Sequence, residues 1–422
     1  MAPRWLTTIS TLLCLLVCTA ETWSMPNFGR RENVPCAACH TQVPRLNRFG
    51  YEYRRAGFRM PENIGKEDKP FNFGELFAAR VQTSVDYSHS DNNGQSADSF
   101  GFNFREFTMY PLSGSWGKYF SSLTELSLLP EDFFEVENAY VRANLGKPDH
   151  FGHLRFGIFH PFEGYGASDR PLGISRPLFQ RTAANFNQST FFTPWGFDQM
   201  GLEGGYTYKG FSASVTVFNG TFVKDDDGTL KGFPAQGGAL FKTATAPSLN
   251  YKDFQLFLNQ MIGERAGLSA FYYHGTLDLA KDLSMPLGAG NLWRNRFDRF
   301  SLYAYGQVWK HLALQAGGQL GIDHYFDAAE GSTNKTFLSG GAFGEVLVPI
   351  IPGLTAGARY DYCDPASNKD GNEIHAATAV INWTHSTGLQ LIGEYSFVDT
   401  ALGAGKSDRQ NHSLQLRMIF IM

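Results

Sequence analysis

The sequence predicts an all-β protein, an antiparallel transmembrane β-barrel of about sixteen strands. From about residue 76 onward, apolar and polar residues alternate with a period of two, as strands with two different faces require. Beyond the first residues of the chain no run of about 18 apolar residues occurs, so membrane-spanning helices are not expected. The links between the alternating segments are short and long in turn, a pattern typical of outer-membrane barrels.

The first alternating segment has an apolar face and a polar face: Ala79, Val81, Val85 and Tyr87 against Arg80, Gln82, Ser84 and Asp86. Sixteen such segments begin near residues 76, 99, 118, 134, 152, 197, 210, 251, 267, 297, 311, 337, 354, 374, 387 and 411. Short links at one rim and long loops at the other predict that both ends of the barrel domain lie at the periplasmic rim. The longest link, residues 161–194, contains Arg170, Arg176 and Arg181, and is either surface decoration or an inward-folded constriction.

Composition agrees with a barrel. Aromatic residues make up 15% of the chain and charged residues only 18%, against about 25% charged residues in ordinary soluble domains. The expected partner of such a surface is outer-membrane lipid, and no nucleic-acid partner is expected. A soluble β-sandwich is the alternative fold.

The chain opens like a secretory signal peptide, with Arg4, an apolar run over residues 6–17 and small residues around Ala20. Cleavage after Ala20 or after Ser24 fits this pattern. Residues 1–24 are therefore expected to be removed, which leaves a small segment over residues 25–70 and the barrel over residues 71–422. The small segment has a net charge of +4 and the barrel one of −8, so the two are expected either to dock or to carry solvated charge separately.

Cys36-Ala37-Ala38-Cys39-His40 has the pattern for covalent attachment of haem c. Two thiols at this spacing add to the two vinyl groups of a haem, and the histidine that follows reaches the iron. A zinc site would need two further Cys or His residues nearby, and a thioredoxin-like pair would need a βαβ context. One covalent haem c, bound by Cys36 and Cys39 with His40 as the proximal ligand, is the prediction. Cys363 is interpreted as a buried or wall-facing small residue.

The sixth iron ligand is open on sequence grounds. Met60 is the nearest thioether after the motif, and ligation by Met and His would raise the reduction potential. Met25 is also close, an open coordination position is a further alternative, and a single methionine often only packs. Met60 is the candidate distal ligand.

The N-terminal segment also resembles a known family. Pro26-x-Phe28 precedes the motif, Thr41 follows it directly, Pro44-x-Leu46-Asn47-x-Phe49-Gly50 comes next, and the pair Gly57-Phe58 closes the stretch. This combination resembles the N-terminus of the fused monohaem cytochrome-porins, whose best-known members are outer-membrane iron oxidases of iron-oxidising bacteria. The resemblance covers residues 25–58, and the barrel part resembles the family in length and strand number.

The resemblance implies a haem segment in or at the periplasmic mouth of a barrel in the outer membrane. It implies an Fe(II)-oxidising cytochrome that transfers electrons from extracellular iron to periplasmic carriers such as cytochromes. Two alternatives stay open: outward electron transfer to an extracellular acceptor, and a diffusion porin with a haem-bearing plug.

Overall fold

The computed structural model describes seventeen stretches of the chain, and all statements below concern them: residues 26–43, 45–66, 72–92, 94–129, 135–160, 173–181, 184–186, 189–191, 199–219, 223–224, 230–231, 252–280, 292–327, 333–367, 371–385, 388–400 and 409–422. The predicted signal peptide, Met25 and Arg170 lie outside the described residues. Within the described helices, none is both long and apolar enough to cross a membrane.

Sixteen long antiparallel strands form a closed barrel, as predicted. Their bounds are β1 Ala78–Asn92, β2 Gln95–Tyr110, β3 Phe120–Leu128, β4 Glu135–Lys147, β5 His150–Phe159, β6 Gln199–Tyr208, β7 Phe211–Phe218, β8 Asp253–Ile262, β9 Ala266–Ala280, β10 Leu292–Trp309, β11 Leu312–Asp327, β12 Thr333–Ile351, β13 Leu354–Asp364, β14 Ile374–Thr384, β15 Leu389–Thr400 and β16 Arg409–Ile421. Each strand pairs with its sequence neighbours, and β16 closes the barrel by pairing with β1. A three-residue strand, Gly114–Trp116, forms a small hairpin with β3.

The two faces of the wall have opposite chemistry. Phe102 and Leu320 point outward, and their side chains are 77% and 66% exposed. Charged side chains such as Arg155, Glu203 and Asp361 point inward and are buried. A soluble β-sandwich would bury its apolar face, so this alternative is wrong for the described strands, and the outer surface is one that lipid can cover.

The two rims of the barrel differ in the length of their connections. At the rim where the barrel begins and ends, Ala79 and Met422 exchange two backbone hydrogen bonds. The short turns 148–149, 209–210, 263–265, 310–311 and 352–353 lie at this same rim. The opposite rim carries the longer links, except at residues 93–94 between β1 and β2. At the short-turn rim the exception is residues 111–119 between β2 and β3, which include the strand Gly114–Trp116. The predicted alternation therefore holds for all links but these two.

The N-terminal segment folds into short elements instead of wall strands. Its helices are α1 Pro26–Glu32, α2 Cys36–Cys39, α3 Arg48–Arg55 and α4 Phe73–Leu76, with a 3-10 turn at Pro61–Asn63 and short paired strands at His40–Gln42 and Arg45–Leu46. Helix α5, Leu178–Arg181, and two small hairpins, Ala184–Phe186 with Ser189–Phe191 and Val223–Lys224 with Leu230–Lys231, lie between wall strands in the sequence.

The segment docks on the inner wall at the short-turn rim. On one side the backbone oxygen of Arg55 accepts hydrogen bonds from Arg142 and Asn144 of β4, at 2.7 and 2.9 Å. On the other side, Arg45 forms a buried ion pair with Glu345 of β12 at 2.8 Å. Of the two alternatives for the basic segment and the acidic barrel, docking is correct for this pair, although many other contacts are hydrogen bonds to neutral groups.

Gln42 and its neighbour Val43 extend the docking surface toward β13, β14 and β15. The Gln42 side chain donates to Asn382 and accepts from Thr355, at 3.2 and 3.1 Å. Asn382 and Gln390 in turn donate to the backbone oxygen of Val43. These groups are buried, so each unmade bond would cost the desolvation of a polar group.

Residues 173–181, from the long link after β5, fold inward onto the wall. The backbone N–H groups of Ile174 and Ser175 donate to the carboxylate of Glu394 on β15, and that of Leu178 donates to Asp361 on β13. Arg359 donates to the backbone oxygen of Ser175 at 2.9 Å. Of the two interpretations of this link, the inward constriction is correct for these described residues.

Candidate functional site

A cavity of about 520 Å³ lies between the N-terminal segment and the barrel wall. Cys39, His40 and Met60 all line it, so the structure brings together the residues of the predicted site that it describes. The volume lies within the range of about 300–1,000 Å³ usual for small-molecule and cofactor sites. The side chain of Cys36, the other predicted attachment residue, lies outside the described part.

Helix α2 places the two cysteine positions three residues apart on a single helical turn. Cys39, at the end of this turn, lines the cavity. His40 follows at once, as the first residue of the short strand His40–Gln42. The local fold therefore brings one thiol of the motif and the adjacent imidazole to one space.

Asn47 and Gly50 hold this turn against helix α3. The Asn47 side chain caps α3 by accepting from the N–H of Gly50, and it donates to the backbone oxygen of Ala38, both at 2.9 Å. The N–H of Asn47 also donates to the backbone oxygen of Cys39. A Cβ at position 50 would come within 2.1 Å of that Cys39 oxygen, so only glycine allows this close approach. The Leu-Asn-x-Phe-Gly stretch thus has a packing explanation.

The environment of Cys39 disfavours thiolate chemistry. Burial, with a smaller contribution from the Glu32 carboxylate, raises the pKa of the Cys39 thiol to about 11. Zinc ligands and catalytic thiols need the thiolate, which a raised pKa suppresses. Among the described residues no group of three Cys, His, Asp or Glu could hold a metal ion. Neither finding disfavours a thioether, which carries no charge.

The N-terminal segment supplies an aromatic cluster to the lining of the cavity. The Phe28 ring stacks on Phe58 with centroids 4.8 Å apart and meets Tyr53 edge-on at 5.9 Å. Burial, followed by the Glu32 carboxylate, raises the pKa of Tyr53 well above its ordinary value, so this phenol stays neutral. Met60 is half-buried and packs against the same cluster. Its position is compatible with ligation and with packing.

The wall supplies most of the charged lining residues, together with apolar ones such as Leu123 and Ile419. Five arginines and four glutamates are among the lining residues: Arg54, Arg80, Arg105, Arg176 and Arg417 with Glu32, Glu106, Glu125 and Glu137. His160, buried just after β5, lines the cavity as well. Sequence reasoning missed these wall residues. Their inward register on alternating strands was a readable signal, but it does not indicate at what depth in the lumen a residue lies.

The residues around the cavity fit a haem c. A thiol, an imidazole and a thioether share one space, whose apolar lining residues match a macrocycle and whose charged lining residues match charged substituents. Covalent attachment does not require the Cys39 thiol to persist as a thiolate in the mature protein. Cys363 is buried in the wall of β13, as its sequence interpretation required, and does not belong to this cavity.

Comparisons with known proteins concern the barrel. No protein-family model matches the chain, and no curated protein matches it. The outer membrane channel DcaP of Acinetobacter baumannii superposes with a TM-score of 0.52 at 12% identity, over 82% of this chain and 96% of that one. The anion-selective porin from Comamonas acidovorans gives 0.54 at 14% identity, over 82% and 98%. At such identities the likeness shows the fold alone, which is that of the outer-membrane porins.

Proposed function

We propose that the protein is an outer-membrane c-type cytochrome of the porin fold that transfers electrons across that membrane. The observation that carries the proposal is the Cys36–His40 motif seated at the short-turn mouth of the barrel, with His40 and Met60 on one cavity. Cys36 and Cys39 would hold the haem covalently, and His40 would bind its iron. The haem would supply reversible one-electron exchange.

The residues of the chain would serve this chemistry by holding and shielding the cofactor. The aromatic side chains Phe28, Tyr53 and Phe58 would cover an apolar face and exclude water. Asn47 and Gly50 would fix the turn that carries both thiols. The wall provides an insulating apolar band of roughly 25 Å, which electrons must cross inside the lumen.

The donor we favour is extracellular ferrous iron, on the strength of the family resemblance. Each Fe(II) ion would give up one electron and remain outside as Fe(III), while one periplasmic one-electron carrier is reduced. The short-turn rim would face the periplasm, as in outer-membrane barrels generally. Outward transfer to an extracellular acceptor uses the same residues and differs only in the relative potentials of donor and acceptor.

A diffusion porin is the second candidate, and the two structural neighbours favour it. One is named an outer membrane channel and the other an anion-selective porin. In this reading the N-terminal segment would regulate an aqueous path. Conductance steps of the haem-loaded protein in planar bilayers would support the porin, and electrically silent bilayers containing folded barrel would contradict it.

Covalent haem staining tests the cytochrome directly. The mature protein is expected to give a haem-peroxidase stain after denaturing electrophoresis, because thioether bonds survive denaturation. Cys36→Ala with Cys39→Ala should abolish the stain and leave the barrel folded, as judged by heat-modifiable migration. Cys363→Ala is the matched control and should stain fully. A stain that persists in the double variant would contradict haem c at this motif.

Reduction by iron tests the donor. Fe(II) added to the oxidised protein in liposomes should produce the absorption bands of ferrous haem c, and His40→Ala should stop this while the barrel stays folded. Met60→Leu should lower the potential if Met60 is a ligand, and should leave it unchanged if Met60 only packs. If Fe(II) does not reduce the oxidised protein, and the reduced protein passes electrons to extracellular acceptors, the result would favour outward transfer.

A further inference from the structure

We infer that Arg176 and Arg417 bind the two carboxylate groups of the haem, an assignment that rests on the proposed function. Both arginines line the cavity that Cys39 and His40 line. They come from unrelated parts of the chain, Arg417 from wall strand β16 and Arg176 from the inward-folded residues 173–181. Only the folding of the chain brings these two distant arginines to one cavity.

Arg417 is a cation beside acids that are already used. Within the described stretches it makes no hydrogen bond or ion pair; Arg105 repels it, and Glu106, Glu394 and Asp86 attract it. These carboxylates bond to other groups: Glu106 to Arg80 and Gln82, Asp86 through one oxygen to Arg105 and Asn103, and Glu394 to the N–H groups of Ile174 and Ser175. Arg417 therefore has capacity for a further anion.

The side chain of Arg176, in the inward-folded residues 173–181, also has no carboxylate partner among the described residues. Its backbone is fixed, because its carbonyl oxygen accepts from Arg359 at 3.2 Å and the N–H of Leu178 donates to Asp361. Its side chain is half-buried and makes no ion pair with a described carboxylate. A rigid backbone with an uncommitted guanidinium is a preorganised way to receive an anion.

The neighbouring arginines of the cavity show the contrast. Arg80 pairs with Glu106 and Glu125, and Arg105 pairs with Asp86. The fold thus neutralises two wall guanidiniums with its own carboxylates and leaves Arg176 and Arg417 for something else. A partly buried cation without a partner is costly, so the pair is best explained by an anionic group that occupies the cavity.

A haem supplies that group. Its macrocycle is apolar and it carries two carboxylates on one edge, so it needs apolar contacts for the ring and cations near that edge. The planar guanidinium is suited to bidentate binding of a carboxylate. Phe28, Tyr53 and Phe58 give apolar contacts, and Arg176 and Arg417 give two cations for two carboxylates.

The test is a redox titration of haem-loaded Arg176→Gln, Arg417→Gln and the double variant over a range of pH. Reduction adds a negative charge to the haem, which nearby cations stabilise. Each single variant should therefore shift the reduction potential downward, and the double variant should shift it furthest. Unpaired carboxylates bind protons at higher pH, so the pH dependence of the potential should also move to higher pH in the double variant.

Arg48→Gln is the control, because Arg48 is an arginine of the N-terminal segment that pairs with Glu52 and does not line the cavity. Arg176→Lys with Arg417→Lys keeps both charges and should recover most of the parent potential, and it serves as the second variant should the double glutamine protein not assemble. An unchanged potential and pH profile in a double variant that stains fully for haem would overturn this assignment alone. A parent protein without covalent haem would overturn the proposed function together with it.

Discussion

Replacing Asn47 tests whether packing of helix α3 holds the cysteine turn. Asn47→Ala removes the cap of α3, which is worth about 1 kcal/mol, and the bond to the Ala38 oxygen, worth about 1 kcal/mol more. A combined loss of about 2 kcal/mol corresponds to roughly a 30-fold increase in local opening. Asn47→Asp keeps the cap and loses only the donated bond, so its effect should be about half as large in free energy.

The assay is hydrogen exchange measured by mass spectrometry on peptides that cover residues 36–56, with peptides of the wall as the internal reference. Exchange should accelerate in the order parent, Asn47→Asp, Asn47→Ala, and only in the N-terminal segment. Equal exchange in all three proteins would refute the argument that Asn47 holds the turn. Equal acceleration in the two variants would refute the separate role of its donated bond.

Three further predictions concern the same segment. Gly50→Ala would place a Cβ 2.1 Å from the Cys39 oxygen, and this overpacking should destabilise the segment by about 1–3 kcal/mol. The loss should appear as faster hydrogen exchange of α2 and α3. Gly344→Ala, where nothing lies within 4 Å of the new Cβ, is the control and should not change the exchange. Arg45→Met leaves the buried Glu345 carboxylate without its cation and should weaken docking of the segment by about 3–5 kcal/mol. The measurement is the rate at which protease releases the segment. Arg45→Met combined with Glu345→Leu should recover much of the lost docking energy. In haem-free protein the Cys39 pKa of about 11, against the ordinary 9.0, should slow alkylation at pH 8 by about 100-fold relative to the unfolded chain, with reactivity rising as the pH approaches 11; equal rates in both states would contradict this.

The barrel could be predicted because the sequence of each strand alternates between apolar residues for one face and polar residues for the other. Leu320 points to lipid and Gln319 to the lumen, so the period of two is imposed locally by the surroundings of the wall. Strand starts near 354 and 374 agree with the structure, and that near 297 falls five residues after the observed start at Leu292. Predicted strand ends differ from the observed ones because the alternation continues into the loops, where no apolar band constrains it.

The Cys36–His40 pattern lies in five consecutive residues and can be found in the sequence alone, and haem attachment there stays a prediction. The surroundings of this pattern could not be predicted. Arg417 lies almost at the other end of the chain from Cys39. Arg176 lies in a link for which the sequence allowed two interpretations, surface decoration or an inward constriction. Side chains of distant strands meet only after the barrel closes, and closure sets their depth in the lumen through strand tilt and stagger. No spacing in the sequence encodes that depth.

The docking contacts bear on what can pass through the barrel. Arg55 is bound by β4, while Arg45 and Gln42 are bound by β12, β13 and β14. In a ring of sixteen strands, β4 and β12 are eight strands apart and lie on opposite sides. The segment is therefore tied to both sides of the lumen at the short-turn rim. The buried hydrogen bonds and the buried ion pair therefore hold the segment across part of the lumen at this rim.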